Sequence, residues 1–335
     1  MLALGLLIAT TVNSDMELRQ LRYFVATVDY GSISRAAAAL HVAQPALSHQ
    51  IQLLEQELGA LLLHRNRQGV LSTDAGKKFY AHAQAILKQV LDAKTSVGQA
   101  GGHLSGTVAL GIPQSVSTAL ALPLLKTVHA TYPGVTLQLT EELTGNLMEP
   151  LRSGRLNLAI LFDDGQLHGL DAIRLAEEDL MYVCARESAH FLEADSIEFK
   201  AAIRSKLILP GIQHGVRPLI ESAARAAGQT LSQLVEINSV AILKSALLAD
   251  IGATLIPPAP FANELRNRDL LAVPIAGQRL TRTSVLCSSK TIPLTDAASA
   301  VSALVMELVD RLCTDHSWIG GRSCSIDKSG SQKVG

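Results

Sequence analysis

The chain has 335 residues, 48% of them hydrophobic and 18% charged, a composition that excludes a disordered polymer and supplies cores for two or three compact units. Its net charge of -1 excludes a uniformly basic nucleic-acid coat, yet nine Lys and Arg face six Asp and Glu between Met16 and Ala100, which concentrates any attraction to phosphate there. Cys184, Cys287, Cys313 and Cys324 lack metal-ligand spacing, which excludes a zinc knuckle or a disulfide framework; isolated thiols fit a reducing cytoplasm, the first three as small buried hydrophobes, with redox sensing the alternative.

The run Met1–Thr11 is apolar, but it is too short to span a bilayer and lacks a basic start and a small-residue cleavage site. Residues 1–15 therefore read as an extension before the first domain, the alternative being a secretory signal. Leu18, Leu21, Phe24, Val25 and Val28 recur at helical spacing until Gly31. Ser32 caps a second helix with Ile33, Ala36, Ala37 and Leu40 on its apolar side. After the tight connection HVAQ, Pro45 opens a third helix, with Leu47, Ile51, Leu54 and Leu58 facing inward and Gly59 ending it. Two helices joined by a short turn outline a helix-turn-helix. Leu61 to Thr73 then reads as two short strands around a polar turn, a wing.

Thr73 caps a long helix reaching about Gly98, along which Phe79, Ala83, Ile86, Val90, Ala93 and Val97 alternate in steps of four and three. Such a heptad seam, widened by Tyr80 and Leu87, predicts a partner helix from a second copy of the chain; packing on its own domain is the alternative. Gln99 to Gly106 is a flexible hinge. Beyond it strands and helices alternate: strands at Thr107–Ile112, Val135–Thr140 and Leu156–Phe162 with helices at Ser117–Tyr132 and Asn146–Ser153, and a second set from Leu180 to Pro257. Alternation predicts parallel sheets with helices on their faces, arranged as two lobes and a cleft. A strand at Thr283–Cys287 and a helix at Thr295–Cys313 return to the first lobe, and the Ser/Gly-rich tail 314–335 is expected to be disordered. The domains are thus 16–73, a helical linker 74–100, and 106–313 with its second lobe at about 182–286.

Sequence readout in a duplex requires polar side chains that reach base edges. On the third helix these are Gln44, Ser48, His49 and Gln52; Gln pairs bidentately with adenine, and Ser and His suit a base or a phosphate. Arg65 and Arg67 on the wing suit a narrow minor groove. A solvated helix face and ordinary surface charge are the bland alternatives.

Leu18 to Gly76 contains GSISRAA, QPALS entering the third helix, LEQELG at its end and STDAG opening the long helix. This combination resembles the DNA-binding region of LysR-type transcriptional regulators, and the chain to about Cys313 resembles the family in length and order. LHVAQPALS and TDAGK are most similar to its nitrogen assimilation control subgroup. The resemblance implies an α+β multidomain protein: an N-terminal winged helix-turn-helix, a long linker helix and a two-lobed α/β effector domain like a periplasmic binding protein. It implies that Gln44, Pro45, Ser48 and His49 face the major groove, that Ser34 and Thr73 touch the DNA backbone, and that Arg65 lies by the minor groove. His49 stands where many members carry Arg, which implies a weaker, more pH-dependent contact. Ser115 and Thr144 fall where members hold an inducer's anionic group, with Gly211 and Val240 lining the opposite lobe; simple helix capping is the alternative for each. The implied partners are double-stranded DNA, a homodimer or homotetramer, RNA polymerase and a small anionic effector, with transcription activated or repressed and no cofactor.

Two other classes fit parts of the sequence. A solute-binding protein would share the lobes but has no use for a winged helix. An enzyme would need a catalytic constellation, and no GxGxxG, GxSxG, HExxH or P-loop occurs.

Overall fold

A computed structural model of the chain describes residues 16–66, 69–98, 104–188, 196–212, 215–231 and 234–324. The expectations for the extension 1–15, for Arg67 and for most of the hinge lie outside these residues. The chain divides into two compact units between Lys94 and Thr95.

In the first unit, α1 (Leu18–Tyr30) ends where Gly31 adopts φ 58°, and the Ser32 hydroxyl accepts the Arg35 N–H to start α2 (Ile33–Ala39). Pro45 lies in the first turn of α3 (Gln44–Leu58), where its missing N–H costs nothing, and Gly59 at φ 60° closes the helix. Leu47, Ile51 and Leu54 are fully buried beside Phe24, Ala36 and Ala37, each burial contributing about 1.5–3 kcal/mol except at the smaller alanines. Leu58 corrects the expected stripe: it is 39% exposed, because the helix has run past the core, and Glu55 is the buried residue of that turn.

The wing is an antiparallel hairpin, β1 (Leu63–Asn66) against β2 (Gly69–Ser72), with Leu63 opposite Ser72. Next comes α4 (Asp74–Gly98). Gly76 sits so close to the wing that a Cβ there would lie 2.0 Å from the Leu62 carbonyl oxygen, so no side chain fits. The first half of the seam is spent inside this unit. Phe79 packs edge-on to Phe24 with centroids 5.3 Å apart, Tyr80 bonds the Asp29 carboxylate, Ala83 is fully buried and Leu87 packs on the same core. Ile86 and Leu91 remain exposed.

In the second unit, β3 (Gly106–Pro113), α5 (Gln114–Thr131), β4 (Val135–Glu142), α6 (Thr144–Arg152), β5 (Leu158–Phe162) and β6 (Leu170–Asp179) form one lobe. The other contains β7 (Met181–Ala185), β8 (Ile197–Glu198), α7 (Phe199–Arg204), β9 (Leu207–Leu209), α8 (Val216–Ala226) and β10 (Leu234–Glu236). It continues with α9 (Val240–Leu248), β11 (Thr254–Ile256), α10 (Ala262–Asn267), β12 (Leu270–Val273) and β13 (Ile275–Ala276). Then β14 (Thr281–Ser289), α11 (Asp296–Thr314) and β15 (Gly321–Ser323) return to the first lobe.

The first lobe's sheet has the order β15-β6-β14-β5-β3-β4. It is mixed rather than parallel: β3 pairs in parallel with β4 and β5, whereas β14 runs antiparallel to β5 and β6. The long crossing strands β6 and β14 have to run in opposite senses to leave and re-enter the lobe, which forces this mixture. The return strand also begins within the first sheet at Thr281, so the second lobe ends earlier than the expected 286. Residues 314–324 correct the expectation of disorder: Trp318 is 1% exposed against α11, and β15 extends the sheet beside β6. Residues 325–335 lie outside the described chain.

Candidate nucleic-acid interface and effector cleft

The interface is built on the edge of α3 opposite its buried stripe. Gln44, Pro45, His49 and Gln52 are exposed and Ser48 half-buried, a consequence of 3.6-residue periodicity with Leu47, Ile51 and Leu54 pointing inward. Ser34 on α2 donates to Gln44 Oε1 at 3.0 Å, which leaves the amide NH2 facing outward. Arg65 on β1 donates to Ser48 Oγ at 3.0 Å and lies 3.8 Å from Glu55. The Ser48 hydroxyl proton thus stays available for an outside acceptor, and the guanidinium keeps further N–H donors.

Glu55 was not anticipated in the sequence and does much of the positioning. Its buried Oε1 accepts the N–H groups of Leu62 at 2.8 Å and Leu63 at 3.0 Å, which docks the wing on the recognition helix. A carboxylate inside an otherwise apolar stripe was the available signal, since a buried charge needs partners.

Thr73 is engaged locally. Its hydroxyl donates to the Leu61 carbonyl at 2.7 Å and accepts the Gly76 N–H at 2.9 Å. Its proton is therefore committed within the protein, which leaves no donor for a phosphate oxygen.

In the second unit a cavity of about 370 Å³ opens between the lobes, with Thr144, Phe162, Asp163, Gly215, Leu219 and Arg282 in its wall. Of the four expected effector residues only Thr144 lines it, and Thr144 Oγ1 is buried without a hydrogen-bond partner. Ser115 is fully buried behind the wall, where its hydroxyl accepts from Arg282 Nη2 at 3.0 Å. The Gly211 N–H is taken by Asn238 Oδ1 at 2.8 Å, and the Val240 N–H is bridged across the cleft by Gln114 Oε1 at 3.3 Å. The Gly211 and Val240 N–H groups are thus spent within the protein, and Ser115 is buried outside the cavity's lining.

Arg282 is the principal residue that the sequence reading missed. It is 6% exposed, its Nε donates to Glu178 Oε2 at 2.8 Å, and its guanidinium carbon stands 3.9 Å from the Phe162 ring centroid. Glu178 is itself fully buried, and its Oε1 accepts from Trp318 Nε1 at 2.9 Å. This cluster joins both crossing strands to the C-terminal arm. Nearby, hydrogen bonds from Arg322, then Arg279 and Thr281, hold the Asp179 carboxyl well below the usual carboxylate range. Burial pushes the thiols of Cys184 up to about 11 and of Cys287 and Cys313 up to about 12.

Among the described residues no group of His, Cys, Asp and Glu is arranged to hold a metal ion. No helix among them is long and apolar enough to cross a membrane.

Comparison with known proteins agrees with both halves of this architecture. Residues 18–77 match the bacterial regulatory helix-turn-helix protein, lysR family, and residues 101–310 match the LysR substrate binding domain. The nitrogen assimilation regulatory protein nac of Escherichia coli is 35% identical over 243 residues, covering 72% of this chain and 78% of that protein. Its counterpart in Klebsiella aerogenes is 33% identical over 297 residues, covering 88% and 96%. The structure of full-length CbnR complexed with its target DNA is similar with a TM-score of 0.63 and 25% identity, covering 88% of this chain and 99% of that one. With a winged helix-turn-helix in front and a two-lobed domain behind, the chain belongs to the LysR family of bacterial transcriptional regulators.

Proposed function

We propose that the chain acts as a homodimer, paired again into a tetramer, that binds interrupted palindromic promoter sites and activates or represses genes of nitrogen or amino-acid metabolism through RNA polymerase. The observation that carries this is the outward polar edge of α3, exposed Gln44, His49 and Gln52 with half-buried Ser48, braced from below by a fully buried apolar edge. A helix so presented fits a major groove, with Arg65 on the adjoining wing suited to the minor groove or to phosphate. The CbnR structure with DNA supports the docking mode, and similarity to the nac proteins supports the class of target genes.

Dimerisation falls to the part of α4 that the winged unit does not cover, around Ile86, Val90 and Ala93. Two recognition helices then meet half-sites about one helical turn apart, or a multiple of it. The interlobe cavity is the effector site of this reading, with Thr144 and Arg282 supplying donors to an anionic group. A genome-wide map of bound sites tests the whole: paired, inverted half-sites upstream of nitrogen or amino-acid genes are expected. Single asymmetric sites, or binding without sequence preference, would overturn it.

A further inference from the structure

Arg65 reaches from β1 of the wing to α3 and is gripped there at two points. Its Nη1 donates to Ser48 Oγ at 3.0 Å, and its Nη2 lies 3.8 Å from Glu55 Oε2. Glu55 is itself buried, and its other oxygen takes the Leu62 and Leu63 N–H groups at the start of the wing. The guanidinium is thereby held against the recognition helix, with only 34% of its side chain exposed.

The grip gives the Ser48 hydroxyl a direction. A guanidinium carries donors only, so Ser48 Oγ serves this contact as an acceptor and its proton turns away from Arg65. Hydroxyls within helices often spend that proton on the carbonyl one turn back, as Thr27 does on Tyr23 at 2.8 Å and Ser245 on Ala241 at 3.1 Å. Ser48 donates to no acceptor among the described residues. It stands on the outward edge of α3, one turn from exposed Gln44 on one side and exposed Gln52 on the other.

In the major groove guanine O6 and thymine O4 accept, whereas adenine N6 and cytosine N4 donate. Exchanging G·C for A·T therefore swaps acceptor and donor at the same place in the groove. A free hydroxyl meets either, because it can donate or accept. A hydroxyl already accepting from a cation favours the acceptor, since an amino group would bring a further N–H beside the positive charge. We propose that Arg65 is a positioning residue for base recognition: it holds Ser48 as a donor and so makes the helix select a keto oxygen, guanine O6 or thymine O4, at one base pair of each half-site. This rests on α3 being a recognition helix and gives Arg65 a role besides any contact of its own with a minor groove or a phosphate.

Competition titrations of the full chain test it, using a duplex that the native protein selects from a randomised pool. Ser48→Ala marks the pair concerned, as the one whose preference it flattens. The native chain is expected to prefer the selected duplex over its transition at that pair by about tenfold or more, the usual size for one mismatched pair. In Arg65→Met, and in Arg65→Gln, which keeps a polar group beside Glu55, the ratio is expected to fall below about threefold. The pair marked by Gln44→Ala, whose side chain is held by Ser34 instead, is expected to keep its native ratio, which also shows that the variants are folded. An unchanged ratio at the Ser48 pair in both variants would overturn the proposal. So would weakening of every duplex alike, which makes Arg65 a phosphate contact alone. A native chain indifferent to the transition would overturn the keto assignment, and one that selects no sequence at all would remove the recognition helix itself.

Discussion

The two units place their polar groups in opposite ways. In the winged unit, Gln44, Ser48, His49, Gln52 and Arg65 lie on the surface or half-buried, and the hydrogen bonds among them use only part of their capacity. In the two-lobed unit, Glu178, Arg282 and Ser115 are sealed from solvent, and Arg282 Nη1 is an exception in a network otherwise consumed internally. The difference follows from the targets. A duplex comes to the protein and must be met by groups already outside, whereas a small ligand is enclosed and can be met by a few buried groups held at fixed angles. Polar substitutions on the outward edge of α3 should therefore cost binding alone, and those in the buried cluster of the two-lobed unit should cost stability first.

The largest effect is expected at Glu178. Replacing it with Ala leaves Arg282 buried and unpaired and takes the acceptor from Trp318, and breaking a buried pair costs about 3–5 kcal/mol. Denaturant unfolding followed through Trp318, the chain's single tryptophan, reads the loss directly. A change below about 1 kcal/mol would mean that water replaces the carboxylate, and the contrast between the units would fail at its strongest point.

Thr73→Ala sharpens the contrast from the other side. Losing the helix cap should cost about 1 kcal/mol of winged-unit stability, measured by thermal unfolding, with DNA affinity unchanged under conditions where the variant is folded. Affinity lost at unchanged stability would restore a phosphate contact for this hydroxyl.

A smaller effect attaches to the C-terminal arm. The Asp179 carboxyl is depressed in the folded state by Arg322 first and Arg279 next, so its contribution is complete above an unfolded carboxyl pKa of about 4. It disappears as pH falls through the lower folded value. The pair is partly exposed, which limits the effect to about 1 kcal/mol or less. Stability measured from pH 7 to 3 should fall more steeply in the native chain than in Asp179→Asn; identical slopes would remove the pair from the energetics.

The last prediction concerns the thiols. With Cys184 at about 11 and Cys287 and Cys313 at about 12, almost none is thiolate at pH 8, and all three are buried. A thiol-labelling reagent should modify the half-buried Cys324 first and the others only on unfolding. Fast native labelling of any of the three would revive a redox role.

The same contrast explains what could be read from the sequence. Helix boundaries at Gly31, Ser32, Pro45 and Gly59 follow from local rules, and the polar edge of α3 is visible because its apolar edge repeats within one helix. The alternation after the hinge likewise disclosed the lobes. The cleft cluster could not be found this way, since Glu178 and Arg282 are 104 residues apart and Glu178 and Trp318 are 140 apart. Resemblance puts Ser115, Gly211 and Val240 in the cleft, yet Ser115 Oγ accepts from Arg282 and the Gly211 and Val240 N–H groups go to Asn238 and Gln114. The strand β6 is not legible in the sequence because LDAIRLAEED carries four acidic residues in ten, a composition that does not suggest a sheet. The tail reads as disordered for a related reason: its polar sequence hides Trp318, whose burial outweighs the residues around it.

The most direct test of the central claim compares the native chain with Gln44→Ala and Ser48→Ala in titrations of an operator fragment and of a scrambled duplex at one salt concentration. The expected result is a loss of about 1–3 kcal/mol for the operator in each variant, with binding to the scrambled duplex unchanged. Equal losses on both duplexes, or no loss on either, would contradict a recognition helix that reads bases with this edge.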